Sequence, residues 1–163
     1  MKLLNEYNFK IYALDNLLTV PTNLYNNDGT INENCHRTEI GQLHYDLKIL
    51  NKKENVPLIS NMIISQLKQL NKSFDVILPV PSKSNNNINM VCLDISKKIN
   101  VLMLDNIRKI DDEFIILNEH ELENKKILLI DDTYNTGRTL KTIYNRIKHL
   151  STDVVAITFV RNR

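Results

Sequence analysis

A chain of 163 residues, 42% of them hydrophobic, buries one respectable core and leaves little for a second, so a single domain over residues 1–163 is expected. Its 21 basic and 19 acidic residues leave a net charge of +2, without the dense positive field of sequence-independent nucleic-acid binding; direct DNA contact is not expected, and small charged ligands are. Cys35 and Cys92 stand far apart without a CxxC spacing, which argues against a disulfide framework and a zinc ribbon and fits a reducing cytoplasm.

The first twenty residues interrupt their apolar positions with Asn5, Glu6, Asn8, Lys10 and Asp15, so no signal peptide is expected, and no run reaches the roughly 18 apolar residues of a membrane span. The segment FKIYALDNLLTV alternates loosely and predicts an N-terminal strand or hairpin, while Tyr25–Asn34, with Asn-Asn-Asp-Gly, predicts a turn or loop. Helical spacing of apolar residues follows over Glu39–Leu50 and Val56–Leu70. Phe74–Leu78 reads as a short buried strand closed by Pro79, and the polar cluster of Asn85, Asn86 and Asn87 as a loop. A helix over Ile88–Ile99 and short strands at Val101–Leu104 and Phe114–Leu117 come next. The clearest strand is Ile127–Ile130, followed by a helix from Gly137 to Leu150 and a final strand over Val154–Val160. This alternation of strand and helix predicts an α/β fold with a parallel sheet covered by helices on both faces. The many asparagines, spread through the chain, read as compositional bias.

The stretch ILLIDDTYNTGRTL carries the chemistry. Ligands of such sheets bind beyond the carboxyl ends of the strands, where Asp131 and Asp132 fall. Two carboxylates about 5 Å apart repel by roughly 3 kcal/mol at an effective dielectric near 20, so a site that keeps both ionised needs a cation or several donors. A sugar diol supplies donors and magnesium supplies charge. Thr133, Asn135, Thr136, Gly137, Arg138 and Thr139 then offer hydroxyls, a flexible glycine and the free amides of a helix start, a cradle for an anion. A strand end with solvated aspartates capping the next helix is the plainer alternative. A Walker-type phosphate loop is absent, because Gly29, Gly41 and Gly137 are the only glycines and none opens a GxxxxGK run.

The order of four apolar residues, two acids and a Thr/Gly-rich loop resembles the nucleotide-binding motif of type I phosphoribosyltransferases over Ile127–Thr139. FDVILPVPSK resembles that family's first core strand and pyrophosphate-side loop, and its PVP is similar to the competence protein F (ComF-like) branch, here without that branch's zinc module. The resemblance implies the phosphoribosyltransferase fold, with residues 1–70 as an N-terminal hood and helical part and residues 71–163 as the core. It implies that Asp131 and Asp132 hold the ribose hydroxyls of 5-phosphoribosyl-1-pyrophosphate (PRPP) with Mg2+, and that the loop holds the 5′-phosphate. Pro81, Ser82 and Lys83 then flank the pyrophosphate, or the prolines merely end a strand. Arg108 and Lys109 read either as a cover over the site or as a solvated charge pair. The expected partner is PRPP or a nucleoside monophosphate, with phosphoribosyl transfer to an acceptor; the alternatives are a non-catalytic module that senses nucleotide or PRPP, or a ComF-like partner in DNA uptake or processing, and self-association into a homodimer stays open. Asn135 stands where purine-salvage relatives carry an Asp that acts on the base, and it cannot take up a proton at neutral pH. Cys35, Cys92 and the histidines, including His44, have no metal-ligand spacing and are expected to pack or face solvent.

Overall fold

The computed structural model describes residues 1–4, 8–20, 23–82 and 87–162. In chain order its elements are β1 (Lys2–Leu4), β2 (Lys10–Asn16), α1 (Glu39–Lys48), α2 (Val56–Leu70), β3 (Val76–Pro79), α3 (Asn87–Ile99), β4 (Leu102–Met103), β5 (Ile107–Ile110), β6 (Glu113–Ile116), β7 (Lys126–Tyr134), α4 (Arg138–Ile147) and β8 (Asp153–Arg161). Six strands form one sheet in the order β1-β2-β8-β7-β3-β4, and β5 and β6 form a separate hairpin. Only β1 runs antiparallel to its neighbour in the large sheet. The strands expected at Phe74–Leu78, Ile127–Ile130 and Val154–Val160 are all members of this parallel sheet.

The sequence explains the layering. β7 and β8 are apolar at consecutive positions because helices or the hairpin cover both of their faces, and every residue from Val154 to Val160 is buried. On one face Ile77, Leu128, Ile130, Val155 and Ile157 pack against α1, α2 and α3. On the other, Leu78, Ile127, Leu129 and Ala156 pack against Leu140, Ile143 and Ile147 of α4, with Ile107 and Phe114 of the hairpin. Cys92 is buried in the first layer, where burial pushes its thiol well up from the usual range, and Cys35 is buried too. No described helix is long and apolar enough to cross a membrane.

Three expectations change. The strand expected at Ile127–Ile130 continues through Asp131, Asp132 and Thr133 to Tyr134, because β8 stays in register alongside it as far as Arg161. The acidic pair therefore lies inside a strand rather than beyond its end. The strand expected at Phe114–Leu117 belongs to the hairpin, where Arg108 pairs with Ile115 and Lys109 with Phe114. The asparagines also do local work: Asn51, Asn71, Asn100, Asn118 and Asn124 adopt positive φ, the left-handed conformation that Asn tolerates better than most residues. In a chain this poor in glycine some of them close helices, as Asn71 does at the end of α2, while Asn118 begins a 3-10 turn.

Helix α1 is fixed from both ends. Thr38 caps it, accepting the Gly41 N–H at 3.1 Å and donating to the Asn16 carbonyl, and Gly41 lies against the exit of β2. At the other end Asn87, the first residue of α3, donates to the Leu47 carbonyl at 2.7 Å. A Cβ on Gly41 would stand 2.2 Å from the Leu17 carbonyl oxygen. Gly41→Ala is expected to cost about 1–3 kcal/mol by overpacking. Urea denaturation measures this, and an unchanged midpoint would mean that α1 is not docked on this backbone.

Candidate functional site

β3 ends at Pro79, opposite Ile130, and the Val80 N–H donates to the Ile130 carbonyl at 2.9 Å. Past that point β7 keeps β8 as its partner, so Asp131, Asp132 and Thr133 stand where β3 has turned away into Pro81 and Ser82. The Asp132 N–H donates back to Asp131 Oδ1 at 2.8 Å. Lys48, the last residue of α1, donates from Nζ to Asp132 Oδ2 at 2.6 Å, with the two side chains 29% and 18% exposed. His44, one turn earlier on the same helix, brings Nε2 to 3.8 Å from Asp132 Oδ2 and 3.4 Å from Thr133 Oγ1. At 3.8 Å the first of these is an electrostatic approach rather than a hydrogen bond. The ring is buried against Phe159, edge to face at 6.3 Å, and its Nδ1 is buried with no hydrogen-bond partner among the described residues.

The adjacent carboxyls diverge electrostatically. Burial, then the Asp132 charge, pushes Asp131 up to about 7, against the Asp132 N–H and the Lys48 charge. Burial would raise Asp132 as well, but His44 and the bond and charge of Lys48 outweigh it and bring that carboxyl down to about 2. Near neutrality the pair thus carries one firm negative charge on Asp132 and a second group that ionises readily when a cation or donor approaches.

The loop after β7 is short. Tyr134 is buried in the α4-side layer, its carbonyl accepting the Asn162 N–H at 2.8 Å, so it packs rather than reaching a ligand. Asn135 and Thr136 are exposed, and Gly137 is buried with φ +67°. Gly137 begins α4 without any side-chain cap, while its carbonyl accepts the Lys141 N–H at 2.9 Å. As N-cap, Gly137 brings no side chain to the first amides of α4, and Arg138 N–H makes a long 3.5 Å contact to Thr136 Oγ1. Arg138 is exposed and Thr139 half-buried in the first turn, where the helix dipole favours negative charge.

Pro81 and Ser82 face the hairpin across a groove of about 590 Å³, which Asn89, Asp105, Arg108 and Lys109 also line. Both hairpin bases are engaged by acids of their own segment, Arg108 with Asp105 at 3.0 Å and Lys109 with Asp112 at 3.1 Å. Lys83 lies outside the described residues. Sequence reasoning passed over Lys48 and read His44 as an ordinary packing or surface residue. Their four-residue spacing puts them on one face of α1, the signal that could have marked them, but nothing in the sequence says that this face meets Asp132, 84 residues downstream from Lys48.

No family model matches this chain, and no curated protein matches it in sequence. Solved structures do. It is similar to the UMP synthase of Leishmania donovani over 89% of this chain and 29% of that one, at 16% identity and a TM-score of 0.54. It is similar to the adenine phosphoribosyl transferase of Trypanosoma brucei, solved with AMP, pyrophosphate and ribose-5-phosphate, over 69% of this chain and 67% of that one, at 16% identity and a TM-score of 0.52. The chain thus spans under a third of the length of that UMP synthase. At such identities the likeness is one of architecture: a mostly parallel sheet with helices on both faces, the fold of the type I phosphoribosyltransferases.

Proposed function

We propose that this protein binds PRPP or a nucleoside 5′-phosphate, as its magnesium complex, at the end of β7 and the start of α4. The observation that carries the reading is the direct passage from Asp131 and Asp132 into a loop whose Gly137, at φ +67°, opens α4 without a side-chain cap. The acids accept the ribose hydroxyls. Asn135, Thr136, the backbone about Gly137, and Thr139 hold the 5′-phosphate, with Arg138 adding charge from the rim. Pro81, Ser82 and Lys83 flank the C1 substituent, and the hairpin with Arg108 and Lys109 covers it.

Magnesium fits as the ligand's counter-ion. No three acidic, histidine or cysteine side chains gather around a cation position among the described residues, and magnesium is commonly held by one or two carboxylates together with substrate phosphates. Asp131 and Asp132 supply those carboxylates, and the ion would neutralise a departing pyrophosphate. In a transfer reaction the chain's own work is to position the sugar and stabilise charge. Asn135 supplies no proton acceptor, so the acceptor molecule must be nucleophilic without a base from this loop; general-base help is typically worth roughly 10² to 10⁴ in rate.

The same Asn135 favours a second reading: a ComF-like, non-catalytic module that senses nucleotide or PRPP levels. Thermal unfolding with PRPP, nucleoside monophosphates and pyrophosphate, with and without magnesium, tests the common part. A ligand at 100 times its dissociation constant adds about 2.7 kcal/mol. No shift with any of them rules out the site. Pyrophosphate release from PRPP in the presence of an acceptor favours the enzyme, and binding without release favours the sensor.

A further inference from the structure

Asp132 is one of the two carboxylates given to the ribose in the reading above, yet its Oδ2 is taken by Lys48 at 2.6 Å. The crevice between them is nearly closed: about 10 Å³ remains among Lys48, Asp132, His44, Asn87 and Ser82, barely the volume one water needs. A sugar hydroxyl that takes the position Nζ holds against Oδ2 displaces the ammonium. Lys48 ends α1, so its backbone is held by the helix and by the Asn87 bond to Leu47, while its four-carbon stem has several rotatable bonds. Ser82, on the other wall of the same crevice, belongs to the segment assigned to the C1 substituent.

Resting on the PRPP-site reading, we propose that Lys48 is a specificity-determining residue: it exchanges Asp132 for an anionic group on C1 of the bound sugar phosphate. A ligand with pyrophosphate at C1 gives the displaced ammonium a new partner within reach of Ser82. A ligand whose C1 carries only a hydroxyl takes Asp132 from Lys48 and returns nothing, which disfavours it. His44 keeps its place beside Asp132 in either case and holds the carboxylate toward α1.

Calorimetric titration of wild type, Lys48→Met and Lys48→Gln with magnesium PRPP and with ribose 5-phosphate tests this. The methionine removes both the plug and the charge. It should weaken PRPP binding at least roughly tenfold while tightening ribose 5-phosphate several-fold, an opposite movement that a structural role would not produce. Lys48→Gln retains a donor for Asp132 without the charge and should lose PRPP affinity even if the methionine variant folds poorly. Equal shifts for both ligands, or full PRPP affinity in either variant, would overturn the proposal while leaving the site reading in place. Wild type that binds neither ligand would remove the site reading and this inference with it.

Discussion

Gly137→Val is expected to eliminate the stabilisation predicted for the wild-type protein with inorganic phosphate. Gly137 sits at φ +67° and ψ 3°, where a β-branched side chain is strained, and it is buried at the point where the chain turns from β7 into α4. The strain costs on the order of 1–3 kcal/mol, and the two added methyls fill the space an anion needs beside the first amides of α4. Gly137→Asn separates the two effects, because asparagine tolerates the left-handed conformation but still carries a side chain into the cradle. It should fold at near wild-type stability and still lose the phosphate response. Arg138→Ala should lower the response only partly, since Arg138 is exposed. Thermal unfolding against phosphate concentration measures all three, and a Gly137→Val protein that folds normally and responds like wild type places the anion elsewhere.

The second large effect concerns the acidic pair. Replacing both Asp131 and Asp132 with asparagine is expected to weaken PRPP binding by about a hundredfold or more, the loss of two hydrogen bonds to charged acceptors. The single variants separate by pH. Asp131, raised to about 7 from 3.8, keeps its proton in the folded state over a range where the unfolded chain has lost it; it therefore destabilises the fold increasingly as pH rises from about 4 to 7, after which the cost is constant. Asp131→Asn removes that cost, up to about 4 kcal/mol at about 1.4 kcal/mol for each tenfold of proton affinity, less after solvent screening. Asp132 has the opposite sign: lowered to about 2, it stabilises above pH 4, and that contribution is lost as pH falls through 2. Asp132→Asn should therefore cost stability at pH 7, on the order of 1–2 kcal/mol, by removing the negative charge that Lys48 meets. Urea denaturation of both variants at pH 4.5 and 8 decides this. A gain for Asp131→Asn that does not grow with pH would mean that its carboxyl is not desolvated.

What could be read from the sequence depends on range. Ile127–Ile130 and Val154–Val160 were plain because burial on both faces demands unbroken apolar runs, and Gly137 after two acids marked the loop because few residues suit that turn. The end of β7 was not legible: Asp131 to Tyr134 look like loop chemistry, and only pairing with β8 as far as Arg161 makes them strand. The hairpin was half visible: Phe114–Leu117 read as a strand, but its partner Ile107–Ile110 did not, and the turn between them uses Asp111 and Asp112 at positive φ where a glycine would have announced it. Arg108 and Lys109 do face the groove beside Pro81 and Ser82, but their pairing with Asp105 and Asp112 was beyond any local pattern. Lys48 and His44 were least legible. Helical periodicity tells which face of α1 is apolar, whereas the partner of its polar end is decided by how the whole sheet orders its strands.

That strand order also governs how the chain is made. β8 follows every other described element yet occupies an interior position, with β2 on one side and β7 on the other, and it pairs Val155 with Lys10 from near the opposite end of the sequence. Until β8 docks, β2 has only β1 beside it and β7 only β3, leaving two half-sheets with apolar faces and open edges. Such species fold slowly, because the closing contact spans nearly the whole chain, and they aggregate readily. The chain therefore needs both open edges shielded until β8 docks between β2 and β7.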